Sequence, residues 1–157
     1  ESAFSLQTSD IITDKKALFI SNNMNQFFSI DIKSGSFNWE NKINSNLRSS
    51  IVGNLLLSVS IEGYFIVTEK DTGNIIRVTD LFENFKLKKR DKIKPTGFIV
   101  GSKNIYLSTS NGRLLIADIS TGKTVSTLKI SNNKISKPFV QNENLFLIKN
   151  NAIIKLN

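Results

Sequence analysis

The sequence of 157 residues contains no cysteine and no histidine, and only two prolines. Without cysteine the chain has no disulfide framework and no thiolate nucleophile, and without histidine it has no Ser-His-Asp relay. A zinc site built from Cys and His is excluded for the same reason. We therefore assign no catalytic residue, no metal ligand and no cofactor site. The lack of cysteine fits a reducing compartment, and also an oxidising one in which thiols are avoided.

Long apolar runs are also missing. The runs are short, such as Leu55-Leu56-Leu57, and none exceeds four residues, whereas a membrane-spanning helix needs about 18 or more apolar residues. The first residue is Glu1 rather than Met, so we expect a mature form or an excised fragment whose targeting segment is not shown. The net charge of +8 attracts polyanions and anionic membranes. However, Lys, Asn and Ile are frequent along the whole chain, as an AT-rich genome also produces.

Against these absences stands a repeated turn, in which an acidic residue is followed four positions later by glycine. Each copy follows an apolar, β-rich run and precedes another extended stretch, which is the pattern of a strand, a tight turn and a strand. Glycine supplies the positive φ that such a turn requires. The three copies are Asp31 with Gly35, Glu69 with Gly73, and Asp118 with Gly122.

A second repeated piece precedes each of these turns. Apolar strands begin near residues 17, 55, 105 and 145 and lead through Asn- or Gly-containing turns into the next strand. The spacings between these strands are 38, 50 and 40 residues, and four strands recur in each unit. A four-stranded unit with a period of about 40 to 50 residues is typical of a β-propeller blade.

The sequence therefore predicts an all-β fold: one propeller domain, or half of one, of about four four-stranded antiparallel blades. We place the blades approximately at residues 10–45, 46–82, 95–131 and 132–157. The last blade lacks its fourth strand, and residues 1–8 are the candidate closing strand, which would leave no unpaired edge. An insertion at residues 81–94 separates the second and third blades.

The first unit reads Ser29-Ile-Asp31-Ile-Lys-Ser34-Gly35-Ser-Phe-Asn-Trp39-Glu40. It resembles the tryptophan-docking repeat of the pyrroloquinoline-quinone-like propeller family, Ala-x-Asp-x-x-Thr-Gly-Lys-x-x-Trp. The third unit keeps Ala117-Asp118 and Thr121-Gly122-Lys123 but has Ser126 in place of Trp. The resemblance implies that Trp39 packs against the turn of the neighbouring blade.

Within that family the degenerate blades are most similar to the scaffold lipoproteins of the outer-membrane β-barrel assembly machinery. This resemblance implies a non-catalytic scaffold without cofactors, which binds protein partners in the periplasm or at a membrane of the bacterial cell envelope. One alternative is a fragment of a quinone-dependent dehydrogenase. Another is a binder of anionic surfaces that uses the basic residues 86–94. The charges form no positive stripe that would favour nucleic acid.

Members of the family usually have seven or eight blades, so three explanations stay open for a chain of about four. The chain is half of a longer propeller, one half of a homodimeric ring, or a four-bladed ring. A half propeller alone would expose two apolar blade faces, each larger than the patch a soluble monomer tolerates. We therefore expect a partner copy or a missing half.

The candidate residues fall into two groups. The turn residues and Trp39 are interpreted as structural docking residues: Asp31, Gly35, Trp39, Glu69, Gly73, Asp118 and Gly122. The acids among them, with Asp71, lie at turns where carboxylates usually accept hydrogen bonds from their own backbone, which favours a structural role over a metal site.

The candidates for partner binding lie in the insertion, because insertions in repeat proteins often map to the binding face. They are Phe82, Phe85, Lys88, Lys89 and Arg90, and the alternative reading of this segment is a solvated strand extension.

Overall fold

The computed structural model describes residues 5–156, and almost all of the regular structure is β-strand. The strands are short, and adjacent strands are joined by tight turns, as the repeated turn residues predict. The strands are β1 (Ile12–Thr13), β2 (Ala17–Asn22), β3 (Gln26–Asp31), β4 (Phe37–Asn41), β5 (Ser50–Val52), β6 (Leu55–Val59), β7 (Tyr64–Glu69), β8 (Ile75–Asp80), β9 (Pro95–Val100), β10 (Asn104–Thr109), β11 (Arg113–Asp118), β12 (Thr124–Lys129), β13 (Phe139–Gln141), β14 (Asn144–Lys149) and β15 (Ala152–Leu156). One helix, α1 (Leu87–Arg90), occurs in the described residues.

The strands form four sheets, each an antiparallel meander in chain order. The first sheet is β1-β2-β3-β4, the second β5-β6-β7-β8 and the third β9-β10-β11-β12. The fourth sheet has three strands, β13-β14-β15. This order confirms the predicted repeat of blade-like sheets.

Residues with positive φ in the turns set how adjacent strands pair. Gly35, Gly73 and Gly122 have φ of 71°, 78° and 73°, and each donates its N–H to the carbonyl of the acidic residue four positions earlier. In the fourth sheet the two-residue hairpin Asn150-Asn151 has φ of 49° and 61° without glycine. Asn tolerates this left-handed region better than most residues, so the pair suits a tight hairpin.

The chain divides into two compact units. One comprises residues up to Ile61 together with Phe65–Val78, and the other comprises Glu62–Tyr64 and the residues from Thr79 onward. In the first unit, Phe19 and Phe27 of the first sheet form a buried cluster with Leu56 and Ile66 of the second. In the second unit the buried apolar side chains come mainly from β10, β11 and residues 81–93, and Leu147 is the one that the fourth sheet contributes among the described residues. They include Leu81, Phe82, Ile93, Ile105, Leu107, Leu114, Leu115, Ile135 and Leu147.

The N-terminal stretch extends the first sheet. The N–H of Ser9 donates to the carbonyl of Ser21 over 2.8 Å, and the N–H of Asn23 donates to the carbonyl of Gln7 over 3.0 Å. Residues 5–9 thus lie along the end of β2, on the same edge of the sheet as β1. The prediction that residues 1–8 supply the missing fourth strand of the last blade is therefore wrong over its described part, because these residues pair with β2 of the first sheet and the fourth sheet has three strands. Residues 1–4 lie outside the described residues.

Candidate interaction surface at residues 81–94

The predicted insertion is a folded segment anchored at both ends. Leu81 and Ile93 are buried, and the N–H of Leu81 donates to the carbonyl of Gly63 over 3.0 Å. The side chain of Asp80, the last residue of β8, accepts the N–H of Phe82 over 2.8 Å. Because its ends are fixed in this way, the middle of the segment is held in one place on the surface.

Phe82 is the largest anchor, and its exposed fraction is 0%. Its ring covers Gly63, where an added Cβ would come within 2.3 Å of the ring. Only a glycine leaves room for this packing. We therefore correct the interpretation of Phe82 as a residue that contacts a partner, because a fully buried ring offers no surface.

Phe85 occupies an intermediate position. It is half-buried, and its ring meets that of Phe82 edge to face at a centroid distance of 5.3 Å. Its N–H donates to the carbonyl of Phe82 over 2.9 Å. Phe85 therefore connects the buried anchor to the surface.

The helix α1 follows at the outermost part of the segment. Its four residues are Leu87, Lys88, Lys89 and Arg90, with no acidic residue and no side-chain cap. Leu87 is 78% exposed. The guanidinium of Arg90 donates to the carboxylate of Asp80, so Arg90 fastens the helix to the end of β8 while Lys88 and Lys89 remain exposed.

A shallow groove runs beside the helix within the same unit. Its lining residues come from the insertion and from the start of β7 with the turn before it; they are Leu87, Arg90, Asp91, Lys94, Glu62 and Tyr64. Leu87 and Tyr64 supply apolar surface to the groove, and charged groups surround them. A groove with an apolar centre and a charged rim suits a peptide or protein segment better than a small apolar ligand.

Exposed cations dominate this segment. Residues 81–94 contain six Lys and Arg against Glu83 and Asp91. Arg90 forms an ion pair with Asp80, whereas none of the five lysines takes part in an ion pair among residues 5–156. The five exposed lysines are Lys86, Lys88, Lys89, Lys92 and Lys94. The surface is therefore positive and would attract an acidic partner.

The docking residues lie elsewhere, in the turns of the sheets. The indole Nε1 of Trp39 donates to the carbonyl of Lys70 over 2.9 Å, and its ring lies against Gly73, where an added Cβ would be 2.7 Å from Cδ2. Asn41 donates to the carbonyl of Gly73 over 2.6 Å. Trp39 of the first sheet therefore packs on the β7–β8 turn of the second.

The turn acids accept hydrogen bonds from their own turns. The carboxylate of Asp31 accepts the N–H groups of Lys33 and Ser34, and the bonds from Ser34 lower the pKa of Asp31. The hydroxyl of Ser120 and the N–H and hydroxyl of Thr121 lower the pKa of Asp118 in the same way. Glu69 accepts the hydroxyl of Thr72. These bonds use the carboxylate oxygens to hold the turns.

Sequence reasoning missed one charged pair in the first unit. Lys70 Nζ lies 2.6 Å from Asp14 Oδ2, and both side chains are mostly buried. The bond from Lys70, with the backbone N–H groups of Ala17 and Lys16, lowers the pKa of Asp14 from 3.8 to about 2. The pKa of Lys70 is raised by the same contact. The partners lie 56 positions apart in the sequence, so no local pattern signals the pair.

Within residues 5–156, no three Asp, Glu, His or Cys side chains are grouped so that they could hold a metal ion. The described part of the chain also contains no helix long and apolar enough to cross a membrane.

These sheets and docking turns define the fold class as that of a β-propeller. No protein-family model and no curated protein sequence matches the chain. Among solved structures it is similar to BamB from Moraxella catarrhalis, with 13% identity and a TM-score of 0.74. The match covers 94% of this chain and 41% of BamB.

Two further structures share the fold. The β-propeller domain of Cps50 (Swd1) from Myceliophteria thermophila matches with 13% identity and a TM-score of 0.69, over 89% of this chain and 48% of that one. The computationally designed Ika4 protein matches with 13% identity and a TM-score of 0.71, over 94% and 91% of the two chains. The chain therefore spans less than half the length of BamB and of the Swd1 domain.

Proposed function

We propose that the chain is a non-catalytic propeller scaffold that binds a protein partner through residues 81–94 and the adjoining Tyr64. One observation carries this proposal. The insertion is anchored by buried Leu81, Phe82 and Ile93, yet it presents Leu87 almost fully to solvent. Leu87 lines the same groove as Tyr64, so the exposed leucine adjoins further apolar surface that a partner could cover.

The chemistry of this surface favours a protein segment that is partly apolar and partly acidic. Leu87 and Tyr64 can be covered by an apolar side chain of the partner, and the exposed lysines can be matched by carboxylates. Because the anchored segment is already ordered, binding loses little conformational entropy. The charges would mainly raise the association rate and select the partner, while the apolar contact would supply most of the affinity.

The finer proposal places this scaffold in the bacterial cell envelope, with a partner in outer-membrane protein assembly. It is supported by the resemblance of residues 29–40 to the docking repeat and by the similarity of the fold to BamB. The alternative, a fragment of a quinone-dependent dehydrogenase, predicts a visible quinone absorbance when the complete protein is supplied with quinone and calcium. The scaffold proposal predicts no such absorbance.

Site-specific photo-crosslinking tests the protein-binding proposal. A photoreactive amino acid is placed at Leu87 in cells that carry the gene, and at Val125 of β12 as a control that is also exposed. We expect one discrete adduct from position 87, lost when Lys88→Glu and Lys89→Glu are added. Equal adducts from both positions, or none from position 87, would contradict the proposal.

The five exposed lysines also support a second candidate, an anionic lipid surface. This function predicts that the protein sediments with vesicles containing phosphatidylglycerol and not with purely zwitterionic vesicles. The Lys88→Glu, Lys89→Glu protein should then remain in the supernatant. Sedimentation that is equal for both vesicle types would contradict it.

A further inference from the structure

The first sheet has one covered face and one open face. Phe19, Phe27 and Ser29 are buried on the face that packs with the second sheet. Neighbouring residues in a strand point to opposite faces, and those of the open face are apolar as well. They are Leu18, Ile20, Phe28 and Ile30, all only half-buried, and Phe37, which is 66% exposed. Phe28 and Phe37 contact each other with ring centroids 5.2 Å apart.

The fourth sheet shows the same asymmetry. Leu147 is fully buried on one face. The segment just before β13 contacts the third sheet, since the hydroxyl of Thr96 donates to the carbonyl of the buried Ile135. On the opposite face Phe139 and Phe146 stack with centroids 5.5 Å apart. Ile148 and Ile153 extend this row, and Ile153 is 69% exposed.

The middle sheets show what a fully covered blade requires. Leu56 and Leu57 are adjacent in β6 and therefore point to opposite faces, yet both are buried. Leu114 and Leu115 in β11 are likewise both buried. The second and third sheets are covered on two sides, whereas the first and fourth sheets each keep one apolar side open.

The two open faces lie on opposite sides of their sheets relative to the chain order, and they carry opposite charges. The first sheet is covered on the side of the sheet that follows it, and the fourth on the side of the sheet that precedes it. Each open face therefore offers the half of a sheet-to-sheet contact that the other lacks. In addition, the exposed Glu40 pairs in register with Phe28, and the exposed Lys155 pairs with Phe146.

We propose that the open face of the fourth sheet of one copy packs against the open face of the first sheet of a second copy of this chain. Phe139, Phe146 and Ile153 would cover Phe28 and Phe37, with Lys155 near Glu40. A second copy is the occupant we favour because its own surface supplies both the apolar row and the opposite charge. The chain also matches BamB and the Swd1 domain over less than half of their lengths, so each of those propellers extends beyond the part that the match covers.

Light scattering after size-exclusion chromatography tests this contact on the 157-residue chain at about 100 μM. We expect at least twice the monomer mass. Ile153→Lys should reduce the mass to that of a monomer, because it places a cation in the apolar row. The matched control Val125→Lys changes a similarly exposed residue on β12 and should leave the mass unchanged.

A charge exchange separates this contact from general stickiness. Glu40→Lys and Lys155→Glu should each weaken the association, and the double variant should restore it. Circular dichroism should show all variants folded, since the changed side chains are exposed. A monomeric wild-type protein would overturn the proposal, and so would an oligomer that persists in Ile153→Lys or a double variant that is no better than the single ones.

Discussion

Gly35 and Gly73 occupy the same position in two equivalent turns, but their surroundings differ. Both have positive φ, and both donate to the preceding turn acid. A Cβ at Gly35 would meet nothing within 4 Å, whereas one at Gly73 would press on the ring of Trp39. The docking contact is therefore tighter than the turn alone requires.

This difference yields a matched pair of substitutions. Gly35→Ala should cost about 1–2 kcal/mol, from the left-handed backbone alone. Gly73→Ala should cost about 1–3 kcal/mol more, because Trp39 must shift away from the turn. Urea unfolding of both variants measures the difference, and equal losses would contradict the docking role of Trp39.

The Asp14–Lys70 pair predicts acid sensitivity. The pKa of Asp14 is about 2 in the folded protein and 3.8 without its partners. A lowered carboxylate pKa stabilises the fold above pH 3.8, and this stabilisation is lost as the pH falls toward 2. We expect Asp14→Asn to remove about 1–2 kcal/mol at pH 7 and to change stability less between pH 4 and 2.

Urea unfolding at several pH values measures this effect. Exposed Asp10→Asn is the control, since Asp10 lies outside the ion pair. If Asp14→Asn and Asp10→Asn lose the same stability at pH 7, the pair contributes nothing beyond an ordinary surface charge.

At this scale the sequence predicts what is local. Asp31 and Gly35, or Asp118 and Gly122, lie four positions apart, so one turn specifies both. Asp14 and Lys70 meet because β1 and the β7–β8 turn belong to adjacent sheets. The sequence repeat does not indicate a contact between residues so far apart. Trp39 was the exception, since its place was implied by family resemblance.

Among the elements, the strands were the most predictable. Strands near residues 17, 55, 105 and 145 follow from alternating apolar residues and turn signals, and the structure has β2, β6, β10 and β14 there. The insertion was harder, because it has no repeat to compare with. Its aromatic residues resembled a surface pair, but Phe82 fills the space over Gly63, a contact 19 positions away in sequence.

In the insertion, different residues therefore anchor the segment and face the solvent: Phe82 is buried and Leu87 is exposed. Phe82→Ala should lower the free energy of unfolding by about 3–5 kcal/mol, because it leaves a cavity in the core. Leu87→Ala should change it by less than about 0.5 kcal/mol, because the side chain is exposed. Thermal and urea unfolding of the two variants checks both values, and a neutral Phe82→Ala would show that the segment is not anchored as described.

For the whole molecule, burial predicts an uneven pattern of local stability. The middle strand β10 is mainly buried, whereas the outer strand β12 is almost entirely exposed. Exposed strands open at lower free energy than buried ones. We expect amides of β12 to exchange at least tenfold faster than those of β10 in native-state hydrogen exchange. Equal protection would contradict a sheet whose stability comes from its inner strands.

The fold class was predictable because four repeats report the same unit, so an error in one repeat is corrected by the others. The interaction surface was predictable only as a segment. Its composition and position interrupt the repeat, but the burial of Phe82 and the ion pair of Arg90 with Asp80 depend on packing between distant residues. Because of those contacts, Leu87 and the lysines are the side chains of the segment that face the solvent and could contact a partner.

The most direct test of the scaffold function is the affinity of the purified chain for the partner captured from position 87. Calorimetry should show that Leu87→Ala combined with Lys88→Glu and Lys89→Glu weakens binding at least tenfold, about 1.4 kcal/mol, without a change in unfolding. Val125→Ala should bind as the wild-type chain does. Unchanged affinity in the triple variant would contradict the assignment of partner binding to residues 81–94.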